Sequence, residues 1–400
     1  MKFRTGAGLL MALLGATGFR WTRTRFSGTR LLSSVSGIPS SDTGAFKKRL
    51  PELFEAPTHF KRALRQLKVI KVDGSIKNPR NQQRKLSAQT LDRLGQQLTI
   101  PLTECLESYK RVIRDLHPFE RTVCELVVAS RVKLGHPDLD TLLADVKQLR
   151  IATSRIAKDH ASRASNATSA AEAKEILAQG TAELEELYSS PSGAGISLTQ
   201  LVDLQKELRK IPVVELSTPT LVLVGAPNVG KSSIVRTVST GTPEVNDYPF
   251  TTRGVTIGHV INKSKQVRYQ VMDTPGLLDR PAEDRNEMEK LTFASLLHLP
   301  TAVIFVVDPS GLSGDQSSLE KQLNVREALR QRFPRRPWLD VISKGDLEIP
   351  APVLASIRER GVERPLHVSV SSGRNVVELK GAIEDLFAQL SEQLDLMRKE

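Results

Sequence analysis

The feature that most constrains the fold of this 400-residue chain is a change of hydrophobic periodicity near Pro212. Before it, apolar residues recur every three or four positions and strand-like segments are almost absent, which predicts helices. After it, short apolar segments alternate with amphipathic ones, which predicts a mostly parallel sheet covered on both faces. We therefore expect an all-α helical bundle over residues 46–212, followed by an α/β domain with a six-stranded sheet over residues 213–400.

Several local signals refine this prediction. Pro118 and Pro137 lie where helices are expected to begin. Ser197 and Gln200 have the spacing of a capping box for the last helix of the bundle. The six strand candidates are TLVLVG, VTIGHVIN, VRYQVMD, AVIFVVD, WLDVISK and PLHVSV.

Residues 1–45 are predicted to be an organellar targeting leader and a linker. Residues 1–41 hold six basic residues and no acidic one, and they are rich in Arg, Ser, Thr and Gly. The segment 23–34 resembles the end of a mitochondrial presequence, whereas Lys2 and Arg4 before an apolar stretch suit a bipartite plastid leader. A disordered basic tail is a third interpretation. We expect a mitochondrial protein, with the plastid as the alternative.

The charge and the cysteines narrow the class of protein. The formal net charge of +12, which falls to +6 without the basic residues of the leader, favours a polyanionic partner such as RNA or a membrane surface. No apolar segment is long enough to span a bilayer. Cys105 and Cys124 lie in helix-like sequence, and we expect buried thiols in a reduced compartment rather than a zinc or redox site.

The first strand of the α/β half ends in a pattern of glycines followed by a lysine, Gly-x4-Gly-Lys-Ser. Glycines let the backbone wrap a phosphate, whose oxygens accept the N–H groups at the start of the next helix. Lys231 is predicted to neutralise the β and γ phosphates, and the Ser232 hydroxyl to bind Mg²⁺. The predicted phosphate loop comprises Gly225, Ala226, Pro227, Asn228, Val229, Gly230, Lys231, Ser232 and Ser233.

Two further segments suit a nucleotide triphosphate. Asp273 ends a strand before Thr-Pro-Gly and is placed to hold Mg²⁺, while the Gly276 N–H is placed to contact the γ-phosphate. Thr252 in NDYPFTTRG is the candidate switch threonine, which closes on the metal and γ-phosphate only in the triphosphate state. The predicted metal ligands are therefore Ser232, Thr252 and Asp273.

The segment ISKGDL predicts the base. Asp346 can accept two hydrogen bonds from the guanine edge while the Lys344 stem packs along the ring, which favours GTP over ATP. The usual motif begins with Asn, and Ser343 at that position loses one tether to the phosphate loop. The backbone of Ser369 and Val370 in HVSVSSG is expected near the guanine carbonyl. These motifs in this order, each at a strand end, predict a site for GTP and GDP.

At GAPNVGKSS, YPFTTRG and DTPGLLDRPAEDRNEMEKLTFASLLHL the sequence resembles the Obg-related GTPases, and among them the nucleolar GTP-binding protein (Nog) branch. LHPFERTVCELV, LRKIPVVELSTPTLVLVGAPNVGKSS and VVDPSG with SLEKQL extend the resemblance over about residues 45–390. It implies a GTPase that docks on precursor rRNA of the large ribosomal subunit in its GTP state and leaves on hydrolysis. The apparent leader, and an end just after the last helix, suggest an organellar version.

The predicted catalytic residues are Lys231, Thr252, Gly276 and Asn228. Leu277 occupies the position where many signalling GTPases carry a water-orienting Gln, so slow intrinsic hydrolysis is expected. In related GTPases an Asn at the position equivalent to Asn228 ligates K⁺, which makes K⁺ a candidate cofactor. The alternative is that Asn228 only stabilises the loop.

A basic cluster at the start of the helical bundle is the candidate RNA contact. The residues predicted to bind RNA are Lys61, Arg62, Arg65, Lys68 and Lys71. An ordinary solvated helix face is the alternative. For the whole chain we expect a monomer without a membrane span. The alternative function is a GTP-dependent RNA-binding scaffold with negligible turnover; a membrane-remodelling GTPase is disfavoured by the missing anchor and the compact ending.

Overall fold

The computed structural model describes residues 45–67, 76–190, 193–212, 214–250, 255–262 and 267–399. Residues 1–44 of the predicted leader, Thr252, Lys68 and Lys71 lie outside this part of the chain. The described residues form two compact units. One contains the residues up to Leu116 together with residues 127–210, and the other contains residues 117–126 together with those from 211 onward.

The predicted helical bundle is confirmed. Its helices are α1 (Ala45–Arg49), α2 (Ala56–Gln66), α3 (Pro79–Asp115), α4 (Pro118–Lys133), α5 (Leu139–Asn166), α6 (Ala170–Ser189) and α7 (Gly195–Leu208). In the described part of the chain, no helix combines the length and the apolar character needed to cross a bilayer.

The bundle forms because its long helices carry apolar stripes at helical spacing. Leu91, Leu94, Leu98 and Leu102 of α3 are fully buried and lie on the face that packs against α5 and α6. Side-chain oxygens accept N–H groups at the helix starts, as Asp138 does from Thr141 at the start of α5. The helix therefore begins at Leu139, two residues after Pro137.

The predicted capping box at Ser197 and Gln200 is wrong. Helix α7 begins two residues earlier, at Gly195, where a Cβ atom would lie 2.8 Å from the carbonyl oxygen of Tyr188. Ser197 is therefore inside the first turn, and its hydroxyl donates to Oδ2 of Asp145 at 2.8 Å instead of capping the helix. Close packing of the glycine, rather than a side-chain cap, fixes where this helix starts.

Both cysteines are buried and free, as predicted. Cys105 lies on α3 and Cys124 on α4. Burial raises the pKa of each thiol to about 12, so both remain protonated and unreactive at neutral pH.

The second unit alternates strands and helices. Its elements are β1 (Thr220–Val224), α8 (Lys231–Val238), β2 (Glu244–Asn246), β3 (Val255–Asn262), β4 (Val267–Asp273), α9 (Glu287–His298), β5 (Thr301–Val307), α10 (Leu319–Arg332), β6 (Trp338–Ile342), α11 (Ala351–Glu359), β7 (Leu366–His367) and α12 (Val376–Lys399).

The sheet has seven described strands, in the order β2-β3-β4-β1-β5-β6-β7, rather than the six predicted. All six predicted strands are present, and β1, β4, β5, β6 and β7 run parallel to one another. The additional strand β2 pairs antiparallel with β3, which also pairs antiparallel with β4. Because β2 has only three residues in a polar segment, its sequence carries no periodic signal.

Helices cover both faces of this sheet. On β1, Leu221 and Leu223 pack into a core with residues of α8 and α12, while Val222 and Val224 pack into another core with residues of α9 and α10. All five residues of β1 are buried, as are all seven of β5. The central strands are therefore continuous apolar runs whose carboxyl ends open onto loops, which is where ligands bind in such folds.

The first turns of α4 belong to the α/β unit. Phe119 and Val123 are buried against Tyr248, Val255 and other residues around β3 and α9. The boundary predicted between residues 212 and 213 placed this segment in the helical domain instead. Sequence could not show that it belongs to the α/β unit, because the packing that decides this joins residues more than 100 positions apart.

Candidate nucleotide-binding site

The loop between β1 and α8 requires glycine at both ends of the predicted phosphate loop. A Cβ atom on Gly225 would lie 2.4 Å from the carbonyl oxygen of Val306, so a larger residue cannot pass the end of β5. Gly230 has a φ of +97°, a left-handed conformation that glycine adopts without strain, and it immediately precedes α8. The loop therefore ends with the N–H groups of α8 at the site.

The remaining loop residues divide into anchors and exposed groups. Ala226 and Val229 are buried in the core beneath the loop. Asn228 also has a positive φ, +62°, and its side chain is exposed, while Ser233 is exposed on α8. Asn tolerates the left-handed conformation better than most residues. The conformation of the turn is therefore one reason for an Asn at position 228.

Lys231 is buried inside the loop. Its ammonium group donates to the carbonyl oxygens of Gly225 at 3.1 Å and Ala226 at 2.7 Å. Desolvation lowers the pKa of Lys231 to about 8, against the opposing effect of the Asp273 carboxylate. A cation held in this way suits phosphate oxygens, whose charge would stabilise the ammonium form.

Ser232 and Asp273 meet at the predicted metal position. The Ser232 hydroxyl donates to Oδ2 of Asp273, whereas Oδ1 is buried and has no hydrogen-bond partner among the residues that the structure describes. Desolvation raises the pKa of the Asp273 carboxyl, with Ser232 and then Lys231 acting in the opposite direction. An unpartnered carboxylate oxygen beside a hydroxyl fits the hard-oxygen preference of Mg²⁺. Thr252, the third predicted ligand, lies outside the described residues.

The loop after β4 packs directly on the phosphate loop. The Leu277 N–H donates to the Gly225 carbonyl at 3.0 Å, and a Cβ atom on Gly276 would lie 2.5 Å from the nitrogen of Pro227. The Leu277 side chain is 3% exposed and packs in the core with Val222. It therefore faces away from the solvent that would supply an attacking water.

Glu289, which was not predicted from the sequence, anchors the end of this loop. Its carboxylate is 1% exposed and accepts hydrogen bonds from the N–H groups of Leu278 and Asn286 and from the Arg280 guanidinium. Asn286 in turn caps α9 by accepting the N–H of Glu289. The Asn-x-x-Glu spacing is the signal of a capping box that could have identified this pair.

The predicted guanine loop lies beside the phosphate loop. Ser343 is buried, and both its N–H and its hydroxyl donate to the carbonyl of Val307, at 2.9 and 3.2 Å. A Cβ atom on Gly230 would lie 3.8 Å from the Ser343 Cβ. The short side chain thus brings the two loops into contact distance without an amide between them.

Asp346 and the last predicted motif are also adjacent. Asp346 is exposed, and a hydrogen bond from the Ser369 hydroxyl is the first of several that hold the pKa of its carboxyl below the usual range. Ser369 is fully buried, while Val370 is exposed. An ionised, accessible carboxylate suits the N1–H and 2-amino donors of guanine.

A second residue missed from the sequence is Asp308, directly after β5. Its carboxylate accepts hydrogen bonds from Lys344, from the Ser310 N–H and from the Ser313 hydroxyl. The sequence shows only a polar residue at the end of an apolar strand. Its ion pair with Lys344 could not be predicted, because the two residues are 36 positions apart.

The basic residues of α2 are arranged on one side of an amphipathic helix. Lys61, Arg62 and Arg65 are exposed, whereas Phe60 and Ala63 are buried. The Arg62 guanidinium lies 3.8 Å from the centre of the Phe54 ring. This stacking leaves the charge accessible while fixing its orientation.

Two known families match the chain. Residues 46–215 match the family described as NOG1 N-terminal helical domain. Residues 220–344, which hold most of the site residues, match the family described as 50S ribosome-binding GTPase.

Curated relatives carry one recurring description. Nucleolar GTP-binding protein 1 of Caenorhabditis elegans is 34% identical over 201 residues, 48% of this chain and 29% of the relative. The protein of the same description from Encephalitozoon cuniculi is 30% identical over 256 residues, 63% of this chain and 45% of the relative. The chain thus spans less than half the length of either. A solved chain described as a nucleolar GTP-binding protein 1 of Plasmodium falciparum is 28% identical at a TM-score of 0.38, covering 47% of this chain and 96% of that chain.

Proposed function

We propose that this chain is a GTPase of the nucleolar GTP-binding protein 1 (Nog1) family and that it binds and hydrolyses GTP as an assembly factor for the large ribosomal subunit of an organelle. It docks on precursor rRNA in its GTP state and leaves on hydrolysis. The observation that carries this proposal is the convergence, at one edge of the sheet, of buried Lys231, the Ser232–Asp273 pair and the Lys344–Asp346 loop.

Different residues at this edge bind different parts of the nucleotide. The N–H groups at the start of α8 and the Lys231 ammonium bind the phosphates, and Asp346 selects guanine. Ser232 and Asp273 would hold Mg²⁺, which when bound neutralises charge on the phosphates. A hydrogen bond from the Leu277 N–H to the Gly225 carbonyl joins the Gly276 loop to the phosphate loop. The Gly276 N–H is therefore close enough to the phosphate loop to contact the γ-phosphate.

Hydrolysis is expected to be slow without a partner. Leu277 is buried and apolar, and even a GTPase with a Gln in this role runs at only about 10⁻⁴ per second alone. The exposed Asn228 side chain is available to a K⁺ ion beside the phosphates. K⁺, the ribosomal particle or both would then complete the catalytic arrangement.

The ribosomal part of the proposal is supported by two observations. One is the matched family described as a 50S ribosome-binding GTPase. The other is the basic side of α2, with Lys61, Arg62 and Arg65, which suits the phosphate backbone of rRNA.

The organellar part is supported by the acid-free, basic composition of residues 1–41. A fluorescent fusion of the full chain should co-localise with mitochondria, and a fusion without residues 1–41 should not. Plastid fluorescence would select the alternative organelle. Nucleolar fluorescence of the full chain would contradict the organellar proposal while leaving the GTPase unaffected.

Sedimentation with organellar large-subunit particles tests the main proposal. The chain should migrate as a monomer alone and should co-migrate with particles in a non-hydrolysable GTP analogue but not in GDP. Asp346→Asn, which removes guanine recognition, should not co-migrate in either nucleotide. Absence of co-migration of the wild-type chain in both states would contradict the ribosomal role.

A GTP-dependent RNA-binding scaffold with negligible turnover is the second candidate. The burial of Leu277 and the absence of an amide at Ser343 favour it. Turnover measured with and without particles separates the two candidates. A rate that the particles raise supports the assembly cycle, whereas a rate that stays at the intrinsic level supports the scaffold.

A further inference from the structure

The carboxylate of Asp308 is one of the most constrained side chains near the nucleotide-binding edge. The residue is 1% exposed. Its backbone is clamped by the amide of Gln322, which accepts from the Asp308 N–H and donates to its carbonyl oxygen, both at 2.9 Å. The Ser310 N–H donates to Oδ1 at 3.0 Å, and the Ser313 hydroxyl to Oδ2 at 2.5 Å. These hydrogen bonds fix the carboxylate before any ligand arrives.

The carboxylate also pairs with Lys344. The Lys344 ammonium group lies 2.5 Å from Oδ2 of Asp308, and its side chain is only 28% exposed. The backbone of Lys344 has a φ of +53°, which is strained for a residue with a side chain. Such a conformation persists where surrounding interactions hold it, and the Asp308 ion pair is one of those interactions.

Ser343 makes this ion pair more important. Its hydroxyl donates to the Val307 carbonyl, on the neighbouring strand. It therefore does not supply the amide tether that an Asn at this position would extend to the phosphate loop. The guanine loop needs another fixed point, and β5 provides one, since Asp308 follows Val307 directly.

We propose that Asp308 is a positioning residue for the guanine base: its carboxylate holds the Lys344 side chain so that the aliphatic stem lies flat against the purine ring. This inference rests on the proposed binding of guanine nucleotides. Asp308 acts on base stacking through Lys344, whereas discrimination of the 2-amino group belongs to Asp346. The two roles can therefore be separated by a base analogue that lacks this amino group.

Competition against a fluorescent GDP analogue on the full chain, with GDP and with inosine diphosphate, tests the proposal. Asp308→Asn keeps the size of the side chain and removes its charge. It should weaken both nucleotides about five- to tenfold, because the charge-assisted hydrogen bond to Lys344 is removed, and should leave their affinity ratio unchanged within about twofold. Lys344→Met should behave in the same way. The double variant should be no weaker than the weaker single variant, since both changes remove the same ion pair.

Glu327→Gln is the matched control, because it makes the same carboxylate-to-amide change at an ion pair with Arg360 in the same domain, and it should keep wild-type affinity. If Asp308→Asn fails to fold, Ser313→Ala removes a hydrogen bond to the same carboxylate and should weaken both nucleotides equally by about threefold.

Three results would overturn the proposal: unchanged affinity in a folded Asp308→Asn, a double variant weakened by the product of the single effects, or a collapse of the GDP-to-inosine-diphosphate ratio, which would mean that Asp346 has moved. Failure of the proposed function is distinguishable, because the wild-type chain would then bind neither nucleotide and both proposals would fall.

Discussion

The N–H of Leu277 donates to the carbonyl oxygen of Gly225 across 3.0 Å, which joins the loop after β4 to the loop after β1. Gly276, one residue earlier, has no room for a side chain because Pro227 lies against it. The groups proposed to sense the γ-phosphate and those proposed to bind the other phosphates are therefore one packed unit, and a change in either loop should affect both.

Gly276→Ala should weaken binding of a non-hydrolysable GTP analogue more than binding of GDP. The added methyl group would meet Pro227 at 2.5 Å, so the loops must separate at a cost of about 1–3 kcal/mol. Nucleotide titration and urea unfolding measure the two effects. Gly241→Ala is the control, because a Cβ atom there has no neighbour within 4 Å. Equal reductions in affinity for both nucleotides would remove Gly276 from γ-phosphate sensing.

Nucleotide binding should take up protons at alkaline pH. With a pKa of about 8, Lys231 in the free chain is about one-tenth neutral at pH 7 and about half neutral at pH 8, and phosphates favour the ammonium form. Uptake should therefore rise from about 0.1 to about 0.5 proton per nucleotide between these pH values. Calorimetry in buffers of different ionisation enthalpy measures it. Heats that are independent of buffer at pH 8 would contradict this role of Lys231.

The same pKa fixes the sign of a stability effect. Between pH 8 and the ordinary lysine value of 10.5, the unfolded chain binds the Lys231 proton more tightly than the folded chain. The contribution of Lys231 to the free energy of unfolding of the nucleotide-free chain should therefore rise with pH in this window, as the cost of burying the ammonium disappears. Urea unfolding of the wild-type chain and of Lys231→Met across this range measures the difference, which should change with pH only if Lys231 titrates as described.

Asn228→Gly separates the role of the Asn228 side chain in hydrolysis from its role in the conformation of the turn. Glycine adopts the φ of +62° without strain, so the loop should keep its conformation while the amide is removed. The wild-type initial hydrolysis rate should be about tenfold higher in K⁺ than in Na⁺, and this ratio should fall to about one in the variant. Equal wild-type rates in the two salts would leave Asn228 with a purely conformational role.

Reversing the charges of α2 should abolish particle binding without affecting GTP binding. Lys61→Glu, Arg62→Glu and Arg65→Glu together should also flatten the salt dependence of RNA binding, by about 0.7–0.9 in log–log slope for each phosphate that the variant no longer neutralises. Charge reversal at Lys147, Arg155 and Lys158 of α5 is the control for net charge. If the control variant weakens binding as much, the RNA interaction is not specific to α2.

Periodicity and apolar runs were sufficient to predict the long helices and six of the seven described strands, because burial of a helix stripe or of a strand selects apolar residues at regular positions. It could not predict β2, whose three residues depend on pairing with β3, or the start of α7, which depends on the close approach of Gly195 to Tyr188. Local sequence signals are weakest where a distant neighbour decides the structure.

The site shows the same division. The glycine-lysine loop could be recognised because phosphate binding demands those residues in succession. Glu289 does carry a local signal, the capping-box spacing from Asn286, although its bonds to Leu278 and Arg280 depend on the fold. Asp308 could not be assigned a role from sequence, because its partner Lys344 lies 36 positions away. A single acidic residue acquires its function here from tertiary interactions rather than from its neighbours in sequence.

The position of α4 has a practical consequence for anyone who wishes to express the α/β unit by itself. A fragment beginning at residue 213 would lack Phe119, Val123 and Leu126, which are buried in that unit's own core. Tyr248 and Val255 would be left facing water, and such a fragment should be poorly soluble. A workable expression clone would need to supply residues 117–126 as well, for instance by fusing them through a short linker to residue 211.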